Sequence, residues 1–314
     1  MSSLKARIKI SNYCENDCWY CCSPDKNSDE MSEKMMNDIV DKLVEIYEKY
    51  NFKRIKISIT GGDPFSSRNV LTFMDVINDK IRNNGIFAPV VCDVCKTSDD
   101  KIISEFIEKG GKCLVSLNED PIQKMTSKTL KIGLDKVSLF NVILTEYNIN
   151  RIDDIIKHVI DFKLPIRLNT LHDPYDQNNL RDNISYCIDK TFHKILKKNE
   201  RTPYNKRLSD SMIFSCITPY KYKTDSFCGY GKDYLAIDLY GNVSRCHVES
   251  PITTIYDKNL MFTIKTEIPH IDEECKKCGA FRFCKGGCVY NNKFKTYCKQ
   301  FYKASKYAKE MKEK

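Results

Sequence analysis

The sequence predicts an α/β fold: a partial (β/α)6 barrel of the TIM type over residues 1–200, then a small cysteine-rich α+β domain over residues 201–314. Two observations predict the first part and one the second. Short β-rich runs alternate with amphipathic stretches from residue 4 to residue 175, as βα units building a parallel sheet do. A chain of 314 residues with 41% hydrophobic side chains can bury a sizeable core, so disorder is not the default reading. After Arg201 periodic helices give way to Gly, Pro, Tyr and closely packed Cys, a composition suited to a domain held by metal.

The expected strands are 7–11, 54–59, 89–93, 112–116, 136–144 and 165–169. Between the first two, residues 31–49 place Met35, Ile39, Leu43 and Ile46 on one helical face. Residues 176–199 repeat the pattern with Ile184, Ile188, Phe192 and Ile195. In the second domain, 234–240 and 243–246 flank a Gly241-Asn242 turn and read as a hairpin, and the polar tail 302–314 reads as helix. Neither an apolar run of bilayer length nor a charged-then-apolar leader is present, so the expected setting is the reducing cytoplasm, with no membrane partner. There, closely spaced cysteines point to metal ligation before disulfides.

Sixteen cysteines are too many and too unevenly placed for core filling. The first group, Cys14-Glu15-Asn16-Asp17-Cys18-Trp19-Tyr20-Cys21, follows the first strand with C-x3-C-x2-C spacing. Three thiolates so spaced can hold three irons of one 4Fe-4S cluster and leave the fourth iron open. The competing reading is a zinc site short of one ligand, but no well-spaced His follows. With these residues the chain resembles the radical S-adenosylmethionine superfamily. That resemblance implies that Cys14, Cys18 and Cys21 hold the catalytic cluster and that Tyr20 touches the adenine. Gly61-Gly62-Asp63-Pro64 looks like the family's GGEP motif, which holds the methionine amino group, with Asp for Glu. Glycines let backbone approach a ligand, and a carboxylate can pair with an ammonium. Ser116 and Asn118 end the fourth strand where relatives carry Ser-Leu-Asp; Thr145 and Asn148 are similar to residues near the ribose, and Arg167 is implied to meet the cofactor carboxylate. Turn chemistry is the competing reading for Asn118, Thr145 and Asn148, and a partnered lumen position for Arg167.

The second group runs Cys228-x12-Gly241-x4-Cys246, then Cys275-x2-Cys278-x5-Cys284-x3-Cys288, then Cys298. It matches the SPASM motif of radical enzymes that mature peptides and proteins. The resemblance implies a distal auxiliary cluster on Cys275, Cys278, Cys284 and Cys298 and a proximal one on Cys228, Cys246 and Cys288, with Cys216 as a fourth ligand. A zinc ribbon is the alternative. Of the rest, Cys113 and Cys187 read as core, whereas Cys92 and Cys95 are candidates for hydrogen-atom donation into the barrel. With about eleven thiolates on three clusters of roughly +2 each, the formal charge falls from +9 to about +4, so it does not argue for nucleic acid.

The resemblance implies three 4Fe-4S clusters, S-adenosylmethionine as cofactor, an electron donor such as flavodoxin or ferredoxin, and hydrogen-atom abstraction by a 5′-deoxyadenosyl radical. The expected substrate is a peptide or protein, crosslinked through a thioether or carbon–carbon bond. Thirteen residues precede Cys14, so recognition is expected to need a separate leader-binding partner or the barrel rim. Formylglycine formation, as in sulfatase maturases, is the first alternative. Those relatives carry Asp after the cysteine matching Cys246, where this chain has His247, a candidate base. A small-molecule dehydrogenase is the second, and a non-catalytic scaffold the third.

Overall fold

The computed structural model describes residues 3–16, 18, 21, 26–95, 97–116, 129, 131–143, 166–169, 230–265, 272–279 and 281. The helix expected over 176–199 and the tail 302–314 lie outside them. The chain forms two compact units, one of Met1–Val115, Lys128–Ser138 and Gly229–Ile268, the other of Ser116–Ser127, Leu139–Cys228 and Pro269–Lys314.

In the first unit strands β1 (Leu4–Lys9), β2 (Ile55–Thr60), β3 (Val90–Val94) and β4 (Lys112–Ser116) pair in parallel with their sequence neighbours. Alternation explains them: Leu4, Ala6 and Ile8 are buried while Lys5, Arg7 and Lys9 are half-exposed, and Ile55, Ile57 and Ile59 alternate likewise with Lys56, Ser58 and Thr60. β1 lies earlier than the expected 7–11 because its alternating apolar residues begin at Leu4, and Ser11 makes only an isolated bridge to Glu30.

Helix α1 (Glu33–Lys49) begins at Glu33 because the Ser32 hydroxyl accepts the Met35 N–H at 3.2 Å. It buries Met36, Ile39, Val40, Leu43 and Ile46. Helix α2 (Asn69–Ile77) buries Phe73 and Met74 and continues as one π-type turn, Asn78–Arg82. Helix α3 (Asp100–Glu108) is capped by Asp99 and buries Ile103 and Phe106, whose ring meets Phe65 edge-on at 5.3 Å.

The expected hairpin forms as β7 (Tyr234–Ile237) and β8 (Asn242–Ser244), with β9 (Thr253–Thr254) beside β8. β7 stops short of Tyr240 because the Asp238 carboxylate captures the N–H groups of Tyr240 and Asn242, both at 2.9 Å, and turns the chain. Gly241 sits at φ 82°, in the left-handed region a glycine takes without strain. β7 pairs in parallel with β1, Lys5 opposite Tyr234 and Ile8 opposite Ile237, so neighbours run β4, β3, β2, β1, β7, β8, β9. β7, β8 and β9, in a stretch that the composition assigns to the second domain, thus extend the first unit's sheet. Helix α4 (Leu260–Lys265) buries Leu260, Met261 and Ile264.

In the second unit, residues of β5 (Val137–Ile143) pair in parallel with β6 (Ile166–Asn169), Phe140 opposite Ile166. Helix α5 (Glu273–Lys277) is capped by Asp272. Among the described residues no helix is long and apolar enough to cross a membrane.

Candidate functional site: the cysteine loop

The loop after β1 is fixed before its first cysteine. Ile10 N–H donates to Thr60 O at 2.9 Å, Asn12 N–H to Asp29 O at 3.0 Å, and Ser11 Oγ accepts the Tyr13 N–H at 3.0 Å. The Gly61-Gly62-Asp63 segment then lies against it: Gly62 N–H donates to Ser11 O at 2.8 Å and Asp63 N–H to Tyr13 O at 2.7 Å. A Cβ on Gly61 would stand 2.7 Å from Ser11 O, and one on Gly62 2.1 Å from Tyr13 O. The two glycines therefore let the motif press its backbone on the cysteine loop, a reason the sequence did not disclose.

Cys14, Cys18 and Cys21 are half-buried, and Cys21 N–H closes a turn on Cys18 O at 3.0 Å. Asn16, only 7% exposed, donates through Nδ2 to Cys14 Sγ at 3.4 Å and to Thr97 Oγ1 at 2.7 Å. Asp63, 0% exposed, accepts from Phe65 N–H at 3.1 Å, from Ser98 Oγ at 2.7 Å and from Thr97 Oγ1 at 2.7 Å. Its carboxylate thus caps the short turn Pro64–Ser66 and clamps the segment after β3. Asn16, Thr97 and Ser98 were not singled out from sequence; the one signal for them was polar side chains within four residues of a ligand cysteine or a strand end.

Burial pushes the Cys92 thiol well above its usual value, and Cys113, opposite it in the β3–β4 register, is pushed up to about 12. Both are protonated core side chains. Cys95, at the end of β3, is raised first by burial and then by the Asp63 and Asp93 carboxylates, with Cys14 and Cys18 adding to the effect. On the half-exposed face of the sheet, Arg7 donates to Thr60 Oγ1 at 3.3 Å and lies 3.9 Å from Asp93, while Lys5 pairs with Asp233 at 3.3 Å.

Cys246 follows β8, and its carbonyl accepts from Ser244 Oγ at 2.7 Å. Its sulfur is 3.9 Å from His247 Nδ1. The neighbouring Arg245 is buried, paired with Glu249, and its guanidinium stacks 5.2 Å from the Tyr230 ring. Cys275 lies on α5 and Cys278 ends it, with the Cys278 N–H on Cys275 O at 3.1 Å. Ser116 closes β4, half-buried, and Arg167 lies on β6 opposite Asn141. Tyr20, Asn118, Thr145, Asn148, Cys216, Cys228, Cys284, Cys288 and Cys298 lie outside the described residues.

Among the described residues no three His, Cys, Asp or Glu side chains gather around a single ion. Thiolates of a 4Fe-4S cluster each bind a different iron and stand farther apart than ligands of one ion, so the loop's all-sulfur donor set fits a cluster.

Fold and loop together define an α/β protein with a three-cysteine loop at the carboxyl end of its first strand. The family described as a 4Fe-4S single cluster domain matches residues 8–99, which span the loop, the glycine pair and the turn after β3. An uncharacterised protein of Methanocaldococcus jannaschii is 24% identical over 298 residues, 88% of this chain and 94% of that one. The GTP 3′,8-cyclase of Alkaliphilus oremlandii is 25% identical over 186 residues, 51% of this chain and 54% of that enzyme. Among solved structures, anSMEcpe with bound AdoMet and a Cp18Cys peptide is similar with a TM-score of 0.73 at 17% identity, over 98% of this chain and 97% of that one. The expected α/β fold with a parallel sheet is borne out, and the 4Fe-4S single cluster domain match over residues 8–99 agrees with the resemblance drawn from the cysteine loop.

Proposed function

We propose that this chain is a radical S-adenosylmethionine enzyme that oxidatively modifies a peptide or protein. The observation that carries the reading is the pinning of the Cys14, Cys18 and Cys21 loop by Gly61 and Gly62 at the carboxyl ends of parallel strands. Ligand sites of α/β sheets form at that edge. When bound there, a 4Fe-4S cluster and S-adenosylmethionine supply a 5′-deoxyadenosyl radical able to take a hydrogen atom from an unreactive carbon. The chain's own part is to hold: three thiolates would grip the irons, and the backbone ladder from Ser11 to Asp63 fixes the loop. Arg7, Thr60 and Asp93 give the sheet a polar, hydrogen-bonded face against which a substrate can be oriented.

The likeness over nearly the whole chain to a structure holding a peptide supports a polypeptide substrate. The match to GTP 3′,8-cyclase, over about half of each chain, supports a second reading with a nucleotide substrate. Flavodoxin or ferredoxin is the proposed electron donor, a separate leader-binding protein the proposed recognition partner, and two further clusters on the C-terminal cysteines the proposed electron acceptors.

The test is anaerobic reconstitution with iron and sulfide, reduction, and quantitation of 5′-deoxyadenosine. Wild type should yield it, and a Cys14→Ala/Cys18→Ala/Cys21→Ala variant should not. A colourless wild type loaded with zinc overturns the reading. Stimulation of turnover by GTP but by no peptide moves the substrate to the second reading.

A further inference from the structure

We infer that Asn16, held in place by Thr97 and the buried carboxylate of Asp63, is a positioning residue that sets the electron affinity of the cluster gripped at Cys14; this rests on the cluster reading above.

The orientation of the Asn16 amide follows from a chain of donors and acceptors. A carboxylate can only accept, so Thr97 spends its single hydroxyl proton on Asp63 Oδ2 at 2.7 Å. Thr97 Oγ1 can then only accept, and the group offered to it at 2.7 Å must be an N–H of Asn16. That places Nδ2 toward Thr97 and leaves its second hydrogen for Cys14 Sγ at 3.4 Å. Ser98 Oγ, on the other Asp63 oxygen at 2.7 Å, also accepts the Cys95 N–H at 2.9 Å and fixes the segment that carries Thr97. Lys26 Nζ donates to the Asn16 carbonyl and holds its backbone from the other side. Asp63 therefore orients Asn16 through one intermediate.

An N–H aimed at a cluster thiolate stabilises the reduced state more than the oxidised one, because reduction adds negative charge that spreads onto the sulfurs. Asn16, at 7% exposure, is shielded from water on the donor side, while Cys14 is half-buried. Losing that bond makes the cluster harder to reduce.

The experiment is an EPR-monitored redox titration of the reconstituted full-length chain, without S-adenosylmethionine or substrate. The N-terminal cluster's signal is the part missing from the Cys14→Ala/Cys18→Ala/Cys21→Ala variant. Asn16→Leu should lower the reduced-to-oxidised ratio at a fixed poise roughly tenfold, about 59 mV for a one-electron couple. Thr97→Val should shift it the same way by less, since the amide is then free to turn. An unchanged midpoint in Asn16→Leu with full iron overturns the inference. Should Asn16→Leu fail to hold iron, an unchanged midpoint in Thr97→Val does the same. A purely structural clamp would lower iron content and leave the midpoint of the remaining clusters where it was. A wild type that reduces normally yet cleaves no S-adenosylmethionine sinks the proposed function alone, whereas one that takes up no iron overturns both.

Discussion

A methyl group on Gly62 would stand 2.1 Å from the Tyr13 carbonyl oxygen and 2.6 Å from that of Asn12, both backbone atoms that cannot swing aside. Gly62→Ala should therefore displace the cysteine loop, costing about 1–3 kcal/mol as overpacking does and lowering iron uptake. Iron and sulfide assays on the reconstituted variant, with far-UV circular dichroism showing an intact fold, check it; full iron content would contradict the contact. The Gly-Gly-Asp motif was legible in the sequence, but its local duty was not. The spacing suggested backbone reaching toward a ligand, whereas the geometry first shows backbone reaching toward Ser11 and Tyr13. Asp63 is similar: a carboxylate placed to meet an ammonium by its motif is engaged by Phe65, Thr97 and Ser98. Cys113 was readable as core because a strand's inward positions are apolar, and its thiol pushed up to about 12 agrees.

Elements were read best where burial imposes a period. The six expected strands of the barrel coincide with β1 to β6 within a few residues, and β1, β2 and β3 alternate as half-buried strands do. Local chemistry set the ends: Ser32 starts α1 and Asp238 stops β7. Pairing of β7 with β1 was not legible, because partners far apart in sequence leave no local trace of their register. The cap on α1 offers a direct measurement. Ser32→Ala removes the acceptor for the Met35 N–H and should cost about 1 kcal/mol, seen as a lower urea midpoint with an unchanged slope. Ser32→Asp, which restores an acceptor beside the positive end of the helix, should recover most of the loss.

At the scale of the whole chain, two C-x2-C pairs share one backbone hydrogen bond. Cys21 N–H closes on Cys18 O at 3.0 Å, and Cys278 N–H closes on Cys275 O at 3.1 Å. The same closure within a C-x2-C spacing before residue 22 and after residue 274 is in keeping with the proposed ligation at both places. If each motif carries its proposed cluster, the reconstituted chain holds about twelve irons, four per cluster. Removing Cys14, Cys18 and Cys21 should leave about eight, and Cys275→Ser/Cys278→Ser should also leave about eight while the 5′-deoxyadenosine yield of the N-terminal site persists. Independence is expected because the loop and its clamp, from Ser11 to Ser98, lie within the first unit, whereas Cys275 and Cys278 belong to the second. Iron content that stays near four in wild type would remove the auxiliary clusters from the proposal. Loss of the N-terminal cluster in Cys275→Ser/Cys278→Ser would show that the two sites depend on each other for folding.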